Sequence, residues 1–492
     1  MKKNTRIVIF SIFISILIGI VPLGVFVKPT GAAVVSRTYA PDGKGYIEPL
    51  PEGSSKFKMH LEGAHYDMGY QMGYLDGYSV QRLASEGWFK NIVTGLLDAP
   101  DDILLSVLGD ILDYNRLVSV VGSVVPDSTL QAVKAQSGDT IDSRLNKLLM
   151  LCRVLVAYNA QYVPAELIRE CEGVAAGATA AGFPVTYDDV LLLNMGMDAL
   201  LALAYPVVEP LLFWLDLFSF LSCSGYVVKG AGTVNSHTIM GRHWQFSSYV
   251  LYEEMMIIEY YPSLGFKFIS TSAPGFVGVT SAMNNQGIGI GQDMVPAQDC
   301  DPARYGMGTL FTARMVAQYS GQYSAAITYI TSSLHGCSWI YGIGDGKNGE
   351  TGGCALEISD NYYRVRNMAY TRPWWAIFSP NPIEKKSDLV TWTNHYIHYN
   401  MPSLADSYAI DDSTDRYSWL TNEVLAKYGT IDLVSGATLI DYLHPPKYNY
   451  YTGGPDTPVG ACITAWDLTT LQTTALFGLY SDPWVTVTLP TA

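Results

Sequence analysis

The chain has 492 residues, 49% of them hydrophobic and 15% charged, with a formal net charge of −15 at pH 7. That length suits two domains, or one large layered domain with an added segment, and the composition excludes a disordered chain. The acidic balance argues against nucleic acid and anionic membrane surfaces as main partners.

Lys2, Lys3 and Arg6 precede an apolar run from Ile7 to Val27, and Gly31-Ala32-Ala33 follows. Residues 1–33 therefore read as a signal peptide cut after Ala33, or as an uncleaved N-terminal anchor, because the run nearly spans a bilayer. Both place the bulk of the chain outside the cytoplasm, secreted or at the cell surface. Residues 34–56, rich in Pro, Gly and Ser, read as an extended lead-in. Residues 57–222 read as mostly helical. The run Gly63 to Gly73 opens a helix in which Gly69 and Gly73, spaced i, i+4, suit close packing. Thr186 is the N-cap of a later helix, accepting from the backbone of Asp189. Residues 199–222 are strongly apolar but carry Glu209, Asp216 and two prolines, which favours a buried hairpin of helices over a membrane span.

The texture changes at Cys223. Strands are predicted at Gly225–Val228, Thr238–Gly241, Met255–Tyr261, Lys267–Thr271, Gly275–Thr280 and Gly287–Gln292. Helices follow at Arg304–Tyr319 and Ser324–Leu334, then strands at Ser338–Ile343, Gly353–Ile358 and Tyr362–Arg366. A helix near Asp415–Tyr428 carries Arg416, and Val459–Asp467 and Thr473–Tyr480 close the chain. Strands, helices and strands again, joined by hairpin turns, describe an antiparallel α+β layered fold rather than a parallel doubly wound one.

The chemistry concentrates in Cys223 to Phe246. A cysteine begins a strand, a turn follows at Asn235-Ser236-His237, and a second strand closes with Gly241-Arg242. If the chain is cut before Cys223, that residue carries a thiol and a free amine whose reference pKa is about 8, so nucleophile and base reside in one residue. The seven cysteines (Cys152, Cys171, Cys223, Cys300, Cys337, Cys354 and Cys462) are an odd number for an exported protein. An unpaired Cys223 fits a nucleophile; the alternative is that several are buried, unbridged hydrophobes. No Cys-x-x-Cys spacing occurs, and His395 and His398 lack a third ligand, so neither a metal nor a cofactor is expected. No Gly-x-Ser-x-Gly elbow supports a serine enzyme. His243, beside Trp244 and Arg242, reads as a neutral packed imidazole rather than a base.

Several blocks occur in a characteristic order: Gly63-x-x-Tyr66-Asp67-x-Gly69-x-x-x-Gly73; Glu172-Gly173-Val174-Ala175 with Asp189-Val190-Leu191 and Leu193-Asn194; Cys223-Ser224 with Gly241-Arg242; Asn285-x-Gly287; Gly344-Asp345-Gly346 with Glu357; Thr393-Asn394-His395-Tyr396; and Ser413-Thr414-Asp415-Arg416-Tyr417. Over roughly residues 57–480 the chain resembles the isopenicillin N acyltransferase-like peptidase and acyltransferase family of the N-terminal-nucleophile (Ntn) hydrolases. It is more distantly similar to bile-salt hydrolases, acid ceramidase and phospholipase B-like proteins. The resemblance implies an αββα sandwich made as a precursor that cuts its own Ser222–Cys223 bond. An α-chain, 34–222, and a β-chain, 223–492, would then stay together.

By the same resemblance Cys223 is nucleophile and, through its amine, base. Arg242 favours thiolate or binds the oxyanion. Asn394 donates to the oxyanion, and Arg416 braces the site. One position departs from the pattern. The family's Asp that orients the new amine is Gln245 here, which accepts hydrogen bonds but brings no charge. Asp293 is a second candidate for that task. The expected activity is cleavage of an N-acyl amide or small peptide, or transfer of its acyl group, by an exported enzyme acting on a small-molecule substrate. The alternatives are a lipid-amide or phospholipid deacylase, its acyl tunnel lined by 199–222, and a cell-surface binding protein that has lost catalysis. Membrane attachment is expected only through the N-terminal segment, and oligomeric state is left open.

Overall fold

The computed structural model describes residues 37–50, 54, 56–97, 100–134, 140–215, 223–246, 251, 253–347, 352–368, 370, 386–401, 407–441 and 458–491. The N-terminal apolar run and Ser222, the residue before the expected cut, lie outside the described residues. The strands are β1 Thr38–Tyr39, β2 Tyr46–Pro49, β3 Phe57–Gly63, β4 Ser224–Val228, β5 Ile239–Trp244, β6 Met256–Pro262, β7 Phe268–Ser272 and β8 Ser281–Asn284. They continue with β9 Ile288–Met294, β10 Trp339–Asp345, β11 Gly353–Ile358, β12 Tyr363–Asn367, β13 Leu389–Trp392, β14 Cys462–Asp467, β15 Gln472–Leu476 and β16 Val485–Thr488.

Two sheets form. One has ten strands in the order β1-β2-β3-β6-β7-β8-β9-β10-β11-β12; the other has six, ordered β13-β4-β5-β14-β15-β16. β3 and β6 pair in parallel, and the other strand pairs are antiparallel. The sheets meet face to face where β4 lies on β10 and β11, β5 on β9, and β13 on β11. The Trp392 ring is wedged between them. It would be 2.3 Å from a Cβ at Gly225 and 2.0 Å from one at Gly342, so only glycine fits at either place. Helices His65–Leu75, Thr309–Tyr319 and Tyr323–Ser332 cover the ten-stranded sheet, and Ser407–Ala426 and Leu433–Thr438 cover the six-stranded one. This is the αββα sandwich. One apolar core runs through residues on both sides of position 223.

The close-packing role expected of Gly69 and Gly73 is met by glycines on a second helix, Ala165–Ala180. A Cβ at Gly69 would lie 2.0 Å from the Glu170 carbonyl oxygen, and one at Gly73 2.1 Å from that of Val174. Reciprocally, a Cβ at Gly173 would lie 2.2 Å from the Tyr66 carbonyl oxygen and one at Gly177 2.1 Å from that of Tyr70. The obstruction is backbone on both sides, so no side-chain rotation relieves it. Gly73→Ala is expected to cost about 3 kcal/mol, the upper end of ordinary overpacking. Urea unfolding measures this as a lowered midpoint at unchanged slope.

Four sequence expectations need correction. The lead-in 34–56 contributes β1 and β2 to a sheet edge. The segment read as helical from 57 begins with β3, whose partner β6 lies some two hundred residues away. Gly275–Thr280 is not a strand. Gly275 sits at φ +94°, and the Asn194 side chain binds the Gly275 carbonyl and the Gly278 N–H, both at 2.9 Å. The amide thereby takes the bonds a ladder would use. Finally, 199–215 belongs to a single helix, Tyr187–Leu215, and not to a hairpin of helices. Leu200, Leu201, Leu203 and Tyr205 are buried, and that packing offsets the cost of Pro206, about 3 kcal/mol in a helix interior. Its most apolar 18-residue window is 83% buried inside the protein, the property of a core helix rather than a membrane span.

Candidate active site

Cys223 stands immediately before β4, which is flanked by β13 and β5. In the β4–β5 ladder Gly225 is opposite Arg242. Since alternate residues share a face, Cys223 and Gly225 lie on the Arg242 side, between the sheets. β5 runs three residues further than expected, to Trp244, so Arg242 is held in mid-strand by ladder bonds and not at a loose end. The Cys223 thiol donates to the Gln245 carbonyl oxygen at 3.5 Å, and Arg242 Nη2 is 3.9 Å from Sγ. Cys223 is 2% exposed. Burial, and secondarily the charge of Asp293, pushes its thiol up to about 12, against the opposing pull of Arg242.

Arg242 is fully engaged. Nε donates to Asp293 Oδ1 at 2.9 Å, and Nη1 to the Thr280 carbonyl at 2.9 Å and Ser281 Oγ at 2.6 Å. Nη2 donates to the Gln292 carbonyl. Gly291 leaves the room this needs, because a Cβ there would stand 2.4 Å from Arg242 Cδ. Asp293 is wholly buried, and its Oδ2 accepts no hydrogen bond. Burial raises its carboxyl to about 6, with Arg242 the chief opposing influence and Arg416 a lesser one.

Arg416, from the helix Ser407–Ala426, reaches the same residue from the other side. Its Nη1 donates to the Cys223 carbonyl at 2.8 Å and to Ser224 Oγ at 2.9 Å, and Nη2 to Asn394 Oδ1 at 3.0 Å. Asn394 Nδ2 donates to the Met294 carbonyl at 2.7 Å. The loop that carries Asn394 is pinned twice. Ser413 Oγ accepts from the Asn394 N–H at 2.7 Å, and buried Glu357, paired with Arg366, accepts from the N–H groups of Ile397 and His398. Two blocks singled out in the sequence, Glu357 and Ser413, thus act through the loop they hold.

Cys223, Arg242, Asn394, Arg416 and Asp293 are brought into one buried cluster. Gln245 touches it with its backbone carbonyl; its side-chain Oε1 has no partner, and Cγ would be 3.2 Å from a Cβ at Gly460. His243 is buried with Nε2 3.0 Å from the Val459 carbonyl, and burial lowers it to about 4, so it is the neutral imidazole expected. All seven cysteines are unbridged. Among the described residues no His, Cys, Asp and Glu cluster has the form of a metal site.

Cys223 opens onto an apolar cavity whose free interior is about 60 Å³. Trp88, Phe89, Leu193 and Met197 come from helices before position 223, and Phe246 and Trp339 from the chain after it. Arg242, Thr280, Gln292 and Thr309 supply its few polar groups. The sequence did not point to this cavity. Its walls are ordinary core residues on segments far apart in the chain, and the segment expected to line an acyl tunnel, 199–222, contributes Leu200 among the described residues.

No protein-family model matches the chain. An uncharacterized protein of Archaeoglobus fulgidus is 41% identical over 460 residues, covering 93% of this chain and 69% of that protein. Among solved structures, the Caenorhabditis elegans ortholog of N-acylethanolamine-hydrolyzing acid amidase is similar with a TM-score of 0.36 at 12% identity, over 55% of this chain and all (100%) of that one. A mutant conjugated bile acid hydrolase from Clostridium perfringens gives 0.32 at 9% identity, over 55% of this chain and 97% of that one. Penicillin V acylase from Agrobacterium tumefaciens gives 0.30 at 11% identity, over 55% and 78% respectively.

Proposed function

We propose that this chain, which belongs to the same family as the uncharacterized Archaeoglobus fulgidus protein, is an exported, self-processing Ntn hydrolase. It breaks a C–N amide bond, or transfers the acyl group, through a thioester on Cys223. The observation that supports this best is the convergence of two buried arginines on one cysteine at the head of a strand: Arg242 beside the sulfur and Arg416 on the carbonyl. In the first step the thiol adds to the Ser222 carbonyl carbon while its proton passes to the Cys223 nitrogen. The C–N bond breaks, which frees the Cys223 amine and leaves a thioester between Ser222 and the sulfur; water hydrolyses that thioester, releasing the Ser222 carboxylate and the thiol. That amine then takes the thiol proton, sulfur adds to the substrate carbonyl, and the proton returns to the leaving nitrogen. Water or an acceptor amine resolves the acyl-enzyme.

Asn394 uses one Nδ2 hydrogen on Met294 and keeps the second for the developing oxyanion. One such donor contributes roughly 100- to 1,000-fold in rate. Asp293 supplies the negative charge that Gln245 lacks, and its unpartnered Oδ2 is the acceptor available to the new ammonium. The two pieces stay joined through buried Glu170 and Arg314, which lie on opposite sides of the cut and meet at 2.8 Å. Intact mass and N-terminal sequencing of the purified full chain test the proposal. Two polypeptides are expected, the second beginning at Cys223. A turning-over preparation whose 222–223 bond is intact rules the mechanism out.

The apolar cavity favours a second reading on the same chemistry, a lipid-amide or phospholipid deacylase. In a series of N-acyl anilides, kcat/KM should then rise by about fourfold per added methylene until the cavity is full, given ~0.8 kcal/mol per buried CH₂. A flat series favours a short-acyl amide or peptide instead.

A further inference from the structure

Asp198 lies on the helix Tyr187–Leu215 between two cavity-lining residues, Met197 and Leu200. It is 2% exposed. Its Oδ1 accepts from the Trp339 indole N–H at 3.0 Å and from the Thr309 N–H at 3.2 Å; Oδ2 is 3.1 Å from the same Thr309 nitrogen. Thr309 and Trp339 both line the cavity. Thr309 opens the helix Thr309–Tyr319, whose preceding residue, Gly308 at φ +78°, has no side chain to cap it. Asp198 therefore caps from across the cavity wall. The groups facing it are those two N–H donors and the side chains of Tyr305, Tyr341 and Cys337. No cation among the described residues forms an ion pair with it.

We propose that Asp198 is a positioning residue for the acyl cavity: it fixes Thr309 and Trp339 as one wall, sets the preference for long apolar acyl groups, and slackens that wall on taking up a proton. This rests on the reading of the Cys223 cavity as the acyl site. A carboxylate accepts both N–H groups without needing to donate, whereas the neutral acid is a weaker acceptor and must place a hydrogen among groups already oriented as donors. Burial raises the carboxyl to about 7 while the two N–H bonds oppose the rise, so the change falls within ordinary working pH. The tie also crosses position 223, holding a wall built from both sides of it.

The test compares the full-length chain with its Asp198→Asn and Trp339→Phe variants. Tryptophan emission of the unaltered chain, followed from pH 5 to 9, is expected to show a transition near pH 7 that both variants lack. Binding of cis-parinaric acid at pH 8 should weaken roughly tenfold in Asp198→Asn, the size of one lost hydrogen bond to a charged group. For decanoyl against acetyl anilides, the variant should raise KM for decanoyl by a similar factor with kcat within about threefold, leaving acetyl unaffected; roughly tenfold is that same lost bond. Equal losses for both acyl lengths, or an emission transition that persists in Asp198→Asn, overturn the proposal. If the unaltered chain turns over no anilide yet binds parinaric acid in the Asp198-dependent way, the amidase reading fails and the positioning role stands. If anilides turn over identically in Asp198→Asn, the reverse holds.

Discussion

Cys223→Ala is expected to give a folded, full-length chain that is never cut at 222–223 and has no measurable turnover. Loss of a nucleophile removes roughly six orders of magnitude of rate where it has been measured in a comparable covalent mechanism. The fold should survive. The side chain deleted is one buried sulfur, and shortening a small core residue costs about 1 kcal/mol, well within the usual margin. Thermal unfolding of the variant should therefore fall only a few degrees below that of the parent, which separates lost chemistry from lost structure. A second measurement tests activation. In the uncut chain the thiol is held up near 12 and is 2% exposed, so iodoacetamide at pH 7 should leave it unmodified. The cut form, with an amine beside the sulfur and the 222 side opened, should alkylate at Cys223 first. Cys300 is the relevant competitor, because it is half-buried while Cys152, Cys171, Cys337, Cys354 and Cys462 are buried. Peptide mapping that finds Cys300 labelled and Cys223 untouched in cut material would falsify the assignment of nucleophile.

The hairpin that brings thiol and guanidinium together was legible because its determinants are local. Asn235 and Ser236 adopt φ of +64° and +59°, conformations that Asn tolerates and that turn the chain back so that Gly225 meets Arg242. The helix pair was half legible: the spacing of Gly69 and Gly73 showed a close approach, but not that Gly173 and Gly177 were the other half of it. What escaped was non-local. β3 pairs in parallel with a strand two hundred residues on, and nothing within Phe57–Gly63 records that partner. Gly275–Thr280 has a strand's composition, yet Asn194, on a helix eighty residues earlier, takes its backbone bonds. Asp198 gave no signal in the sequence, because its donors lie 111 and 141 residues away. Gln245 is the instructive case. Its place in the sequence suggested a side chain aimed at the nucleophile, whereas the contact it makes is through the carbonyl, which any residue there would supply.

Arg242→Met is expected to reduce both stability and rate, with a dependence on pH that identifies the cause. The substitution leaves Asp293 buried without its ion partner, and breaking a buried pair in this way costs about 3–5 kcal/mol. The sign follows from the carboxyl. Its folded pKa, about 6, lies above the reference 3.8, so the native state holds the proton more tightly than the unfolded chain does. Asp293 therefore costs stability progressively as pH rises from about 4 to 6, and the penalty is constant above that. Without Arg242 the carboxyl rises further, so the penalty keeps growing past pH 6. The deficit of the variant should thus be large at pH 8 and shrink toward pH 5, where Asp293 is neutral in both proteins; urea midpoints at the two pH values measure it. Arg242→Met/Asp293→Asn should recover most of the lost stability at pH 8 while self-cleavage and turnover stay depressed by at least roughly 100- to 1,000-fold, because the charge beside the sulfur is still missing and the carboxylate for the new amine is gone as well. Recovery of activity along with stability would mean that Arg242 serves only to neutralise Asp293, and the electrostatic role at Cys223 would have to be given up.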